Sequence, residues 1–398
     1  MSGFDRARLH RLGEVMAGHV ERDDTGGVAW LAARDNEIAF GASGVLTRGE
    51  PAPVRRDSLF RIASMTKPVV AVGALILVEE CRLRLEEPVD DLLPEVAGRR
   101  VLVDGRRPMD GPTVPASRQI TLHDILTFRL GWGLDFEAPW PQPLFEAMGQ
   151  LGLGGGPPQP QTPPEPDEWL RGMATLPLLY QPGERWLYDT GSDLLGVLIA
   201  RAAGQPLEAF LQERVFDPLG MVDTGFSTPH LDRLGSCFTV NPATGERVVY
   251  DPPGGQWSKP PAFPSGSGGL VSTVDDYYRF ARMLLAGGRL PDGSRLLSRP
   301  SVEAMTTDHI GAGPGVPGPS PDGAQGWGFG VGVQVRRTAA TSPIGSYGWA
   351  GGLGSSWAND PGERLVGVVL TTDMFTSAYP PPAVIQDFWT GLYAALGD

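Results

Sequence analysis

Ser64 and Lys67 stand three residues apart in Ser64-Met65-Thr66-Lys67. That spacing puts both side chains on one face of a helix. A serine hydroxyl attacks a carbonyl only once a base takes its proton. A lysine can be that base where burial, a positive helix end or a second cation lowers its pKa. The same helix end offers backbone N–H groups to developing negative charge. The bland alternative is a serine that caps a helix and an incidental lysine. Lysine usage argues against it. Of 33 basic residues only Lys67 and Lys259 are lysine. Where arginine serves as the general cation, a retained lysine suggests a position that needs a group able to lose its proton. Lys259 lies in the loop-like run Trp257-Ser258-Lys259-Pro260-Pro261, where no such need is evident.

The elements that must hold this pair are legible around it. Val69–Val78 is apolar almost all round, the mark of a buried helix. Pro68 is tolerated only near a helix start, so the helix is expected to begin at about Ala63–Met65. An amphipathic helix is expected over 4–22, a hairpin over Gly27–Ala33 and Glu37–Ala42, and helices over 188–203, 206–215 and 274–285. The last hundred residues read as strands, Gly326–Val335, Gly345–Gly351, Ser355–Asn359 and Arg364–Thr372, then a helix over 383–395. In Gly326–Val335 one strand face is glycine only, which lets another backbone approach. Strands near both ends with helices between them suggest an α/β domain, residues 1–82 and 265–398, carrying an inserted mostly helical domain, 83–264. The Gly/Pro/Trp-rich stretch 131–168 is expected to be a covering loop.

Composition bounds the function. The chain has 398 residues, 41% hydrophobic and 20% charged, enough for two or three folded domains. A net charge of −13 argues against nucleic acid as a partner. No apolar run reaches the ~20 residues of a membrane span. The N-terminus lacks a secretory pattern, and two cysteines make no disulfide framework, so a cytoplasmic setting is expected. No Cys/His spacing suits zinc, no acidic cluster suits calcium, and no complete Gly-x-Gly-x-x-Gly occurs, so neither metal nor cofactor is expected. The common α/β-hydrolase plan is disfavoured because Gly-x-Ser-x-Gly is missing.

From Phe60 to Pro68, and in the following Leu85-Glu86-Glu87-Pro88-Val89, the sequence resembles the serine β-lactamase-related superfamily. That superfamily includes class C β-lactamases, DD-peptidases and family VIII carboxylesterases. Gln181-Pro182-Gly183-Glu184-Arg185-Trp186-Leu187-Tyr188 resembles the run into its Tyr-x-Asn motif. Gly348-Trp349-Ala350-Gly351-Gly352-Leu353-Gly354 stands at its Lys-Thr-Gly strand. The resemblance spans about residues 25–395. It implies a β-lactamase/transpeptidase-like fold in which an antiparallel sheet is flanked by terminal helices. It implies an acylated Ser64, general acid and base duty shared by Lys67 and Tyr188, and an oxyanion hole of the Ser64 and Gly352 amides. Gly351, Thr190 and Trp349 fall at substrate-binding positions.

Two departures shape the expected substrate. Thr190 replaces an Asn that helps hold an antibiotic's amide. Trp349 replaces the Lys that binds a substrate carboxylate, and an uncharged indole cannot do that. Trp349 is similar to certain family VIII esterases. The expected reaction is therefore carboxylester hydrolysis through an acyl-enzyme, on a small or medium acyl ester. Acyl transfer, transpeptidation, and β-lactam or amide hydrolysis are alternatives on the same groups. A sensor that has kept the scaffold is the non-enzymatic one. Trp132, Trp140, Trp169 and Trp186 border the long loop; they either cover an acyl chain or pack the helical region.

Overall fold

The computed structural model describes residues 3–341, 343–377 and 379–397. Its centre is a seven-stranded antiparallel sheet. The strands are β1 (Gly27–Arg34), β2 (Glu37–Gly44), β3 (Gln325–Trp327), β4 (Gly332–Gln334), β5 (Tyr347–Gly351), β6 (Ser355–Asp360) and β7 (Leu365–Thr371), in the order β2-β1-β7-β6-β5-β4-β3. Strands from the two ends of the chain thus meet at β1 and β7, with Leu31 opposite Val368. No strand between residues 83 and 264 belongs to these seven.

β1 is apolar along its length because both faces are covered. Side chains alternate across a strand. Ala29, Leu31 and Ala33 enter the main core, while Val28, Trp30 and Ala32 enter a second core. That second core is made by α1 (Arg6–Glu21) and the C-terminal α5 (Ala383–Ala394), through Leu12, Met16, Phe388 and Leu392. On the other face lie α2 (Thr66–Glu79), α3 (Thr190–Ala203) and α4 (Val274–Leu285). Every residue of α2 from Thr66 to Leu77 is buried, which explains its apolar circumference.

Two expectations change and a third gains detail. Gly326–Val335 is not one strand but the hairpin β3–β4, pairing Trp327 with Gly332. Gly330 takes φ +74 at its turn, and a Cβ there would lie 3.0 Å from the Lys67 carbonyl. The glycines do permit close approach, Gly328 against the Met305 carbonyl and Gly326 against Asp308 as well as Gly330 at the turn, but across a hairpin and not along one strand. The stretch 131–168 is not plain loop, since it holds helices at Pro143–Gln150 and Pro166–Ala174. The region 83–264 also carries two hairpins, Arg100–Leu102 with Thr113–Pro115 and Cys237–Val240 with Arg247–Asp251. Among the described residues no single helix is long and apolar enough to cross a membrane.

Candidate active site

Ser64 sits in a single 3-10 turn, Ala63–Met65, directly before α2. Ala63 is held at φ +43, a conformation that costs a non-glycine residue about 1–3 kcal/mol. The turn is pinned from three sides. The Tyr277 hydroxyl of α4 donates to the Met65 carbonyl (2.9 Å), Ser355 of β6 donates to the Ile62 carbonyl (2.9 Å), and the Ile62 N–H donates to the Leu270 carbonyl (3.0 Å). Gly351 of β5 belongs to this clamp. A Cβ there would lie 2.2 Å from the Ile62 carbonyl oxygen. Gly351 is buried, so its part is close approach and not contact with substrate. The next residue, Gly352, is exposed, and a Cβ on it would meet nothing within 4 Å. Among the described residues its N–H makes no hydrogen bond, leaving it open to an oxyanion.

Lys67 is fully buried in the first turn of α2. Its Nζ is 3.1 Å from Ser64 Oγ, 2.6 Å from Asp189 Oδ1 and 2.7 Å from the Ser267 carbonyl oxygen. Burial by itself pushes the lysine pKa down. The Asp189 carboxylate, with help from Tyr188 and Asp193, more than reverses this, and the net shift is upward. An amine freed of its proton by burial is therefore not the resting state. Lys67 rests as an ammonium paired with a carboxylate.

Tyr188 is positioned by backbone bonds in both directions with Leu134, 2.8 and 2.7 Å. Its hydroxyl oxygen accepts the Trp349 indole N–H at 2.7 Å, and Lys67 Nζ lies 4.5 Å from its ring centroid. Burial pushes its pKa up. The Lys67 charge and the hydrogen bonds from Ser64 and Trp349 pull the other way without overcoming it. Ser64, Tyr188, Asp189, Trp349 and Gly352 all keep some exposure, so the cluster opens to solvent. Phe136, 43% exposed, sits 5.2 Å from the Tyr188 ring and adds an apolar wall.

The structure thus brings together Ser64, Lys67, Tyr188 and Trp349, with Gly352 directly after β5, the strand against the Ser64 turn. It separates others. Thr190 is buried as the first residue of α3, with no partner for its hydroxyl among the described residues. The reason is the turn before it. Asp189 has φ 86 and ψ −72, and the Thr190 N–H reaches the Tyr188 carbonyl at 3.3 Å, a strained γ-turn. That turn aims Asp189 at Lys67 and sends Thr190 inward. Trp132 is buried and donates to the Pro177 carbonyl (2.8 Å), so it packs the helical region. Trp169 is likewise buried, against Phe263. Trp186 is buried behind Tyr188, stacked at 5.7 Å, and supports that ring. Only Trp140 of the four is exposed, packed on Phe145.

Sequence reading missed Asp189, Phe136 and the Asp193–Ser267 support. The one available signal was the acidic residue directly after Tyr188. Asp193 accepts from the hydroxyls of Ser265 (2.7 Å) and Ser267 (3.0 Å) and the Ser267 N–H (3.1 Å). This fixes the Ser267 carbonyl against Lys67. Burial and the nearby Asp189 carboxylate push Asp193 up to about 6.

A Ser-Lys-Tyr cluster at the mouth of a helix beside an antiparallel sheet agrees with the sequence comparison: the Beta-lactamase family profile matches residues 12–386. The chain belongs to the Beta-lactamase family. Proteins similar to it include esterase EstB of Burkholderia gladioli, 33% identical over 387 residues, covering 91% of this chain and 89% of EstB. The lovastatin esterase of Penicillium rubens is 31% identical over 314 residues, covering 77% and 69%. Among solved structures, EstCE1, described as a hydrolase with promiscuous acyltransferase activity, superposes with a TM-score of 0.80 at 23% identity, covering 97% and 99%. The Beta-lactamase family fold is thereby shared over almost the whole chain, and the protein is an enzyme of the serine hydrolase type that this family comprises.

Proposed function

We propose that the protein is a carboxylesterase that acts through a Ser64 acyl-enzyme on esters lacking a carboxylate near the scissile bond. The observation that carries this reading is the Trp349 indole N–H bound to the Tyr188 hydroxyl at 2.7 Å. Where penicillin-recognising relatives place a cation, this site places an uncharged ring whose one donor is already spent. The remaining cation of the cluster, Lys67, is paired with Asp189. Phe136 and Trp349 offer an apolar acyl or aryl group a surface. The names of EstB and lovastatin esterase support the same class.

In this mechanism Ser64 Oγ attacks the ester carbonyl and its proton leaves by way of Lys67, the group in contact with Oγ, which must hand one of its own protons on. The oxyanion rests on the Ser64 and Gly352 amides. Tyr188 protonates the departing alcohol, and water then releases the acid by the reverse path. Ser64→Ala is expected to lower hydrolysis of an uncharged aryl butyrate by about 10³-fold or more, with the circular dichroism unchanged. Wild-type turnover by that variant refutes the assignment. Adding alcohols to the assay and analysing the products separates hydrolysis from acyl transfer.

A further inference from the structure

The cluster holds three groups that can carry a proton in line, and the last has no assigned role. Ser64 Oγ, Lys67 Nζ and Asp189 Oδ1 are linked by contacts of 3.1 and 2.6 Å. Carbonyl and carboxylate oxygens only accept, so Lys67 gives hydrogens to both Ser267 and Asp189. Paired this closely with a carboxylate, it keeps a third hydrogen, and that one points at Ser64. A protonated lysine cannot take the Ser64 proton unless it hands one on. Tyr188, also protonated at rest, cannot take it either. The acceptor in hydrogen-bond contact with the relay is Asp189. The γ-turn that aims its side chain at Lys67, at φ 86, is the kind of local strain that clusters at working positions.

We propose that Asp189 is a positioning residue that receives, through Lys67, the proton Ser64 loses on attacking the ester. This rests on the ester-hydrolase reading above. As the Ser64 Oγ–carbon bond forms and the carbonyl π pair moves to oxygen, the hydroxyl proton moves to Lys67. A Lys67 proton moves to Asp189, so lysine stays an ammonium and Asp189 becomes a neutral acid. When the carbon–alcohol bond breaks, the alkoxide takes the Tyr188 proton. The phenolate, held by the Trp349 N–H, then regains a proton from Lys67, which is refilled by Asp189. The acyl-enzyme is left with every other group as it began. The titratable groups facing Asp189 are Lys67 of α2, Tyr188 on its own loop and Asp193 of α3; Ser64 and Ser267 are neutral.

The alternative, in which Asp189 merely suppresses a lysine base, predicts the opposite sign. Asp189→Asn then frees Lys67 of its carboxylate, lowers its pKa and speeds the reaction at neutral pH. The relay predicts that Asp189→Asn lowers kcat/KM for the aryl butyrate by about 10²-fold or more. Its rate recovers only as pH rises towards loss of the Lys67 proton, so the acid limb of the profile moves to higher pH. Asp189→Glu, which keeps the carboxylate, restores part of the rate. A neutral-pH rate in Asp189→Asn equal to or above wild type, or an unmoved acid limb, overturns the proposal. Should Asp189→Asn fail to fold by circular dichroism, the wild-type proton inventory decides. A bowed dependence of kcat/KM on deuterium fraction shows two protons in flight, as expected, and a straight line overturns the relay. Ser64→Ala run beside these keeps the two readings apart. An active Ser64→Ala defeats the esterase reading itself, whereas an inactive one beside an unaffected Asp189→Asn defeats only the relay.

Discussion

Trp349 does two jobs with one ring. Its ring meets Trp327 nearly at right angles, centroids 4.6 Å apart, and its N–H holds the Tyr188 oxygen. A phenolate formed on protonating the alcohol gains most from that donor, so the bond strengthens in the transition state. Trp349→Phe keeps a ring and removes the donor. It is expected to lower kcat about tenfold, the effect of about 1–1.5 kcal/mol, with little change in KM. It also moves the Tyr188 pKa further up, because one of the pulls against burial is lost. Steady-state kinetics with one aryl ester tests this, and a changed KM at constant kcat counts against it. Phe136→Ala should do the reverse, raising KM several-fold for long acyl chains while leaving acetate esters alone. At this scale the sequence was readable where chemistry needs a rare residue at a fixed spacing. Ser64, Lys67 and Tyr188 met that condition. Asp189 did not, because nothing in an isolated acidic residue tells that a γ-turn will aim it at a lysine. Thr190 was misplaced by the same turn.

The elements hold the site by close backbone approach and by buried charge. Arg61, three residues before Ser64, is buried with Asp251, its Nε 2.7 Å from that carboxylate, and it also donates to the Gly235 (2.6 Å) and Pro252 (3.0 Å) carbonyls. This ties the Ser64 segment to the 237–251 hairpin. Arg61→Met leaves Asp251 buried and unpaired, and about 3–5 kcal/mol of stability should be lost. Thermal unfolding measures it, and a melting temperature within a degree of wild type sinks the claim. Helices and most strands could be read because apolar periodicity survives in them. The glycine-rich run at 326–335 misled because alternation fits a strand as well as a tight hairpin, and only Gly330 at positive φ breaks the tie. The Arg61–Asp251 pair was not readable, since its partners are 190 positions apart.

At the scale of the whole molecule, the two ends of the chain close the structure. Asp5 N–H donates to the Ala395 carbonyl at 2.9 Å, and the Arg34 guanidinium donates to both the Gly3 (2.9 Å) and Gly397 (2.7 Å) carbonyls. The helix α5 covers the outer face of β1 and β7 with Val384, Ile385, Phe388 and Leu392, all buried. Each such side chain stabilises the fold by about 1.5–3 kcal/mol, so the four contribute about 6–12 kcal/mol. That is the size of an ordinary domain's entire stability. None of the hydrogen bonds of Ser64, Lys67, Tyr188 or Asp189 reaches α5. A purely local view of catalysis therefore allows its removal. The sheet does not, because β7 pairs with both β1 and β6, and β6 carries the Ser355 that pins the Ser64 turn. Ending the chain before Ala383 should abolish esterase activity together with the near-UV circular dichroism signal, and should bring on binding of a hydrophobic dye to the bared face. An active, monomeric truncation with native spectra would show that the terminal helix stabilises its own layer and leaves the catalytic turn independent.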